Sequence, residues 1–319
     1  MVTTHLVKRG VFSIGPTELT SGDPFGLFTV NRTLPSSGSL LVYPMVVDVR
    51  SFPSPPGVLS GGEALRRRTH QVTPNASGVR EYAPGDSMNR IHWLSTARRN
   101  RLMIKEFELD PLAEVWIFVD AARAAQAELP YTLSEPTGDV AWRPLMNKVT
   151  LPPSTEEYAV SIAASLGRYF LRRGRAVGLV SCGQLQVPEV LPPDRGGRQL
   201  GKILEAMALL RAKGSVSIAA LVVAQARRLP RGSTVILITP SVDESVAVAV
   251  DQLLRLGLRP VVVLLDAASF GGSSGTTELE RTIAGQGVTV RRVENGIDLE
   301  TALSFESRVV GASPNMVGV

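Results

Sequence analysis

From Glu114 onward, short apolar runs alternate with longer stretches whose apolar residues recur at three- and four-residue spacing, and few folds accept that order. Strands are expected at 114–119, 176–181, 234–239, 260–265 and 288–293. Helices are expected at 156–172, 198–212, 217–228, 243–256 and 276–284. The strands are nearly continuous in apolar residues, as in TVILIT at 234–239, which is how a sheet covered on both faces reads. The fold class is therefore α/β, a doubly wound and mostly parallel sheet. Such sheets meet their ligands at the carboxyl ends of the strands, where Asp120, Thr239 and Asp266 stand. Ser154 is expected to cap the 156–172 helix with Glu157 completing a capping box, and Gly257 to cap the end of 243–256.

The upstream part follows other rules. Residues 1–60 read as a partial, truncated β-rich domain, with strands around Val11, Phe12 and Ile14 and across 40–49, and a turn at 21–26. Pro44 marks the second run as an edge strand or a bulge. Two or three strands do not stand alone, so this piece needs a neighbour or is the tail of a larger sandwich. Residues 61–110 form a linker and a short structured segment, and 111–319 the α/β domain. Residues 121–153, with five prolines, read as a long insertion after the first strand of that domain.

Charge and composition exclude several chemistries. Nine basic residues lie between Arg66 and Lys105 (Arg66, Arg67, Arg68, Arg80, Arg90, Arg98, Arg99, Arg101 and Lys105), opposed only by Glu81 and Asp86. That window carries +7 of a net +5, so the rest of the chain is slightly acidic. A single cysteine, Cys182, rules out an internal disulfide framework and a multi-cysteine zinc site, and it sits where a core strand ends. His5, His70 and His92 are too dispersed for a histidine-rich centre. Neither a nucleophile constellation nor a phosphate-binding Gly-Lys loop occurs, and Gly271-Gly272-Ser273-Ser274-Gly275 lacks the context of a nucleotide fingerprint. No run of eighteen apolar residues suggests a membrane span, and the chain itself is expected to be soluble. The expectation is a non-enzymatic protein with no catalytic residue, cofactor or metal.

The densest motif is Arg80-Glu-Tyr82-Ala-Pro-Gly85-Asp86-Ser-Met-Asn-Arg90-Ile-His92-Trp93-Leu-Ser-Thr96-Ala-Arg98. It resembles the signature of the domain-of-unknown-function family 58 (DUF58). Lys8-Arg9-Gly10 and Asp23-Pro24-Phe25-Gly26-Leu27-Phe28 resemble the end of that family's β-domain, and 154–166 its first helix after the insertion. The resemblance implies a C-terminal von Willebrand factor type A-like domain, and membrane helices ahead of the β-domain that this chain lacks. It further implies a place at the cytoplasmic face of the membrane and a partner, an AAA+ ATPase of MoxR type, for which the chain acts as adaptor.

Type A domains that hold Mg²⁺ carry Asp-x-Ser-x-Ser after the first strand. Here Asp120 matches, but Ala122 and Ala124 replace the serines and Pro240 stands where a further carboxylate belongs. Within the signature, Arg80, Tyr82, Gly85, Asp86, Arg90, His92, Trp93, Thr96 and Arg98 are expected to form a polar clamp. Asp86 would pair one of the arginines, and Trp93 would pin the segment between the domains. The opposing expectation is an anion or partner site with arginines left open. Two alternatives follow for the whole chain. One is a basic-segment binder of nucleic acid or anionic surfaces, whose affinity would fall steeply with salt. The other is a metal-dependent hydrolase, which needs Asp120 and Asp266 to converge with Asp86 or a glutamate.

Overall fold

The computed structural model describes residues 8–35, 38–53, 76–82, 91–107, 114–131 and 151–304. The chain divides into two compact units, one comprising 1–55 and 114–319 and the other 56–113. Residues 1–60, expected as a partial domain, thus contribute most of their length to the same unit as the α/β part.

The first unit is built on a six-stranded sheet: β7 (Val115–Val119), β8 (Val177–Ser181), β9 (Glu189–Asp194), β10 (Thr234–Thr239), β11 (Arg259–Leu265) and β12 (Thr289–Val293). Their spatial order is β12-β11-β10-β7-β8-β9. All neighbours run parallel except β8 and β9. The order reverses between β7 and β10, which makes that seam the switch point of a doubly wound sheet. This is the fold class expected from the alternation and from the type A-like resemblance.

Period-two alternation divides the strand side chains between two cores. Val115, Ile117 and Val119 of β7 pack with Tyr158, Ile162 and Leu166 of α2 (Thr155–Arg172) and Ile203 of α3 (Gly197–Leu209). Trp116 and Phe118 face the opposite way, toward Leu221 and Val222 of α4 (Ile218–Ala226) and Val250 of α5 (Ser245–Arg255). Helix α6 (Thr276–Gly285) covers that second face as well, whereas α7 (Leu299–Leu303) joins the first. Each such buried side chain contributes roughly 1.5–3 kcal/mol relative to exposure.

Three local expectations change. Strand β9 was not foreseen because Pro192 and Pro193 lie in it, and it occupies the sheet edge, where a missing N–H is tolerated. The 40–49 run forms a strand only to Val42. Beyond it the chain lies along α2: the Val47 N–H donates to Ser165 Oγ (3.0 Å), the Phe52 N–H to Tyr169 Oη (2.9 Å), and the Phe52 ring meets Phe170 edge-on. Helix α5 ends with Leu256 at its C-cap, and Gly257 follows one position later with φ +74°.

The N-terminal strands β1 (Gly10–Ile14), β2 (Thr17–Gly22), β3 (Thr29–Leu34) and β4 (Gly38–Val42) pair antiparallel as β1 with β4 and β2 with β3. The turn expected at 21–26 is present. Asp23 holds it, its carboxylate accepting from the N–H groups of Phe25 (3.0 Å) and Phe28 (2.6 Å). Gly26 supplies the left-handed residue at φ +70°.

In the second unit, β5 (Ala76–Glu81) pairs antiparallel with β6 (Met103–Phe107), and α1 (Trp93–Arg99) lies between them in sequence. Among the described residues, no helix is long and apolar enough to cross a membrane.

Candidate functional site

At the carboxyl end of β7 the chain must turn without an exposed polar backbone, and Asp120 organises that turn. Its side chain is buried (3% exposed). Oδ1 accepts the Ala122 N–H (3.0 Å), and Oδ2 accepts the hydroxyl of Thr239 from the end of β10 (2.6 Å). The Thr239 oxygen in turn accepts the Ser241 N–H (2.9 Å). One carboxylate therefore ties together the two loops that flank the switch point.

The next residues extend the network. Gln126 donates to the Asp120 carbonyl (2.9 Å) and accepts from Thr155 Oγ1 (2.7 Å) at the start of α2. Gly214 crosses beside β7, its N–H donating to the Ala121 carbonyl (2.9 Å) and its carbonyl accepting from Arg123 (2.8 Å). A side chain at 214 would meet the Cys182 carbonyl oxygen, so only glycine fits this approach. Cys182 itself is buried, and burial raises its thiol pKa.

The Asp120 site does not fit a divalent cation. Ala122 and Ala124 offer methyl groups and Pro240 a ring where oxygen ligands would be needed. Both Asp120 oxygens are already engaged by donors of the protein. Among the described residues, no three of His, Cys, Asp or Glu are grouped to hold a metal.

Burial pushes the Asp120 carboxyl up to about 6, against the hydrogen bonds from Thr239 and Ala122, which pull it down. The folded protein then keeps a proton that the unfolded chain has lost between pH 4 and 6. Stability should fall across that window by up to about 3 kcal/mol and level off above it. Asp120→Asn keeps the shape and an acceptor but does not titrate. Urea melts at pH 4, 5, 6 and 7 should show the wild type losing stability relative to this variant as pH rises. Parallel curves would contradict the assignment.

Asp266, after β11, takes a different partner. Its Oδ2 accepts from Arg292 Nη2 (2.7 Å), whose Nη1 donates to Thr277 Oγ1 (2.9 Å). Of the three strand-end candidates, the structure joins Asp120 to Thr239 and leaves Asp266 in its own ion pair.

A charge cluster lies at the start of α2. The Arg9 side chain is buried and pairs with both Glu156 and Glu157, while also donating to the Leu210 carbonyl (2.9 Å). Glu156 Oε2 further accepts the Ala212 N–H (3.0 Å). Ser154 is the N-cap, but its hydroxyl makes no capping bond, and Glu157 has turned to Arg9. The expected capping box is therefore replaced by a long-range salt bridge. A cavity of about 350 Å³ adjoins the cluster, walled in part by Lys8, Tyr131, Pro153 and Arg211.

In the second unit, His92 is the N-cap of α1, its Nδ1 accepting the Ser95 N–H (3.2 Å). Thr96 Oγ1 accepts the Met103 N–H (3.0 Å) and fastens the helix to β6. Tyr82 is half-buried, and its N–H donates to Leu102 (2.9 Å). Arg80 lies on β5. Arg98 is exposed in the last turn of α1, and Arg101 pairs with Glu81 (2.9 Å). Trp93, the first residue of α1, is 69% exposed. Gly85, Asp86 and Arg90, and with them the proposed arginine–aspartate pairing, lie outside the described residues.

Residues 78–128 match the family model described as "Protein of unknown function DUF58". A curated relative is the uncharacterized protein YeaD of Bacillus subtilis (strain 168), 24% identical over 207 residues, which cover 64% of this chain. The match spans 43% of YeaD, so the chain corresponds to less than half of that relative's length. Among solved structures, the conserved hypothetical protein BatB of Bacteroides thetaiotaomicron aligns at 15% identity over 60% of this chain and 94% of its own, with a TM-score of 0.36. The motif from Arg80 to Arg98 lies inside the matched segment, so the resemblance read from the sequence is borne out as a similarity of residues 78–128 to the DUF58 model.

Proposed function

We propose that the α/β unit is a non-enzymatic recognition module, an adaptor that offers the loops at the carboxyl end of its sheet to a protein partner. The observation that supports this most is the state of Asp120. Its carboxylate is spent on Thr239 and Ala122 inside the protein, and methyls and a proline stand where cation ligands would be needed. The position that would carry chemistry instead stiffens the two loops. Rigid loops on a packed sheet are suited to binding, because little order is lost when a partner arrives.

The partner we propose, from the family resemblance, is an AAA+ ATPase of MoxR type, met at the cytoplasmic face of a membrane. Arg123 and Glu244 are exposed on the loops after β7 and β10. Calorimetric titration of a MoxR-type ATPase from the same source should give a saturable complex. Arg123→Glu with Glu244→Lys should weaken it at least tenfold while leaving the thermal midpoint in place. Absence of a complex overturns the proposal. So does binding to nucleic acid whose affinity drops steeply with salt, because that would move the function to the basic segment.

A further inference from the structure

The cavity of about 350 Å³ at the head of α2 is lined by polar groups that the fold leaves without partners. Ser154 stands at the N-cap of that helix and is 8% exposed, yet its hydroxyl bonds to nothing among the described residues and lines the cavity. The N–H groups of Glu156 and Glu157 in the first turn also find no acceptor there, because the N-cap side chain is not turned back to serve them. A buried hydroxyl left open in this way is uncommon in a folded protein, and it suits a ligand acceptor.

Charge fixes what kind of ligand fits. The carboxylates of Glu156 and Glu157 are balanced by Arg9, which pairs with both, and by Arg211, which stands 3.9 Å from Glu156. Arg211 is itself held by the carbonyls of Leu210 (3.2 Å) and Arg9 (3.4 Å). Of the charged residues at the wall, that leaves Lys8 and Glu128, neither of which has a side-chain partner among the described residues. Glu128 lies opposite Ser154 in an antiparallel bridge, so the two side chains share one side of it, with Cβ atoms roughly 5 Å apart. A molecule that carries a carboxylate and an ammonium on neighbouring atoms answers both ends of this arrangement. The rest of the wall, Leu129, Tyr131, Pro152 and Pro153, is largely apolar and suits a hydrocarbon side chain.

We propose that the cavity binds a free apolar α-amino acid, of the size of leucine or phenylalanine. The ligand carboxylate takes the donors of Ser154 and of the first turn of α2 and faces Lys8, where the helix dipole favours an anion. The ammonium meets Glu128, and the side chain lies against Tyr131 and the prolines. Size agrees, because the cavity is at the low end of small-ligand pockets, which hold about 300–1,000 Å³. Net charge agrees as well. Lys8, Arg9 and Arg211 offset Glu128, Glu156 and Glu157, so a zwitterion leaves the site neutral, whereas a phosphate would add charge with nothing to balance it. Position agrees too. Thr155, next to Ser154, is joined through Gln126 to the Asp120 carbonyl, at the end of the sheet where doubly wound folds hold their ligands.

Calorimetric titration of the full chain with L-phenylalanine and with L-leucine tests this. Saturable one-to-one binding with a Kd below about 1 mM is expected for at least one of them. Glu128→Gln and Ser154→Ala should each weaken it at least fivefold, since each removes a hydrogen bond to a charged group of the ligand. N-acetyl-L-phenylalanine has lost the ammonium and L-phenylalanine amide the carboxylate, and each should bind at least tenfold more weakly than the free amino acid. Arg255→Met, on the helix that covers the other face of the sheet, should leave the affinity unchanged. Glu128 is exposed, so its variant is expected to keep the fold, with the thermal midpoint as the check for both variants. Absence of binding up to about 10 mM of either amino acid overturns the proposal, as does binding indifferent to Glu128→Gln and Ser154→Ala. N-acetyl-L-phenylalanine that binds as tightly as the free amino acid also overturns it, in favour of the carboxy-terminal residue of a peptide.

Discussion

Gly214→Ala is expected to lower the stability of the α/β unit by about 3 kcal/mol, one of the largest effects available from a single methyl group. A Cβ there would stand 2.1 Å from the Cys182 carbonyl oxygen and 3.0 Å from that of Ala121. Both neighbours are backbone, so no side chain can rotate away. Relief requires the segment crossing at Gly214 to move, and that breaks the bonds between Gly214 and Ala121 and Arg123 which hold the Asp120 loop. For a unit of this size the thermal midpoint should fall by roughly 6–12 °C. Gly201→Ala provides the opposite sign. Gly201 lies inside α3 with nothing within 4 Å of its Cβ direction, so alanine should stabilise by roughly 0.5–1 kcal/mol. Scanning calorimetry of the two variants would decide. A Gly214→Ala midpoint within 2 °C of wild type would mean that the close approach does not constrain the fold.

Arg9→Ala is the second large effect. Removing the guanidinium leaves Glu157 without its cation, and Glu156 with only Arg211 at 3.9 Å, in a partly buried place, at a cost of about 3–5 kcal/mol. The pair also joins the N-terminal strands to α2 and to the loop after α3, through Leu210. Limited proteolysis should therefore release these strands from the variant before the sheet unfolds. Charge balance gives the control. In Arg9→Met with Glu156→Gln and Glu157→Gln, no carboxylate is left without its cation, Arg211 remains in contact with water, and most of the lost stability should return. If urea melts show the single and triple variants equally weakened, packing of the Arg9 stem rather than its charge holds the N-terminal strands.

These cases show what the sequence discloses and what it hides. Five of the six strands, all but β9, were legible because they are apolar runs, and the helices because of their three-to-four spacing, both local properties. Asp120 and Thr239 were legible as strand ends, and their bond follows from the sheet order. Strand β9 was not legible, since Pro192 and Pro193 argue against a strand until its edge position is known. Ser154 and Glu157 carry the local pattern of a capping box, yet Glu157 pairs with Arg9, far away in sequence. Gln126 and Gly214 had no signal at all, because their roles come from segments that meet only in the folded chain. Local pattern gives the elements, and tertiary contact decides which polar groups become partners.

The claim on which the functional proposal rests is that Asp120 serves the scaffold and not a cation. Thermal unfolding at pH 7.5 with increasing Mn²⁺ or Mg²⁺ measures this directly. A site filled a hundredfold above its Kd would add about 2.7 kcal/mol and raise the midpoint by several degrees. The expected result is a midpoint that does not move with either ion, in the wild type and in Asp120→Asn alike. A rise that saturates with metal in the wild type and vanishes in Asp120→Asn would contradict it.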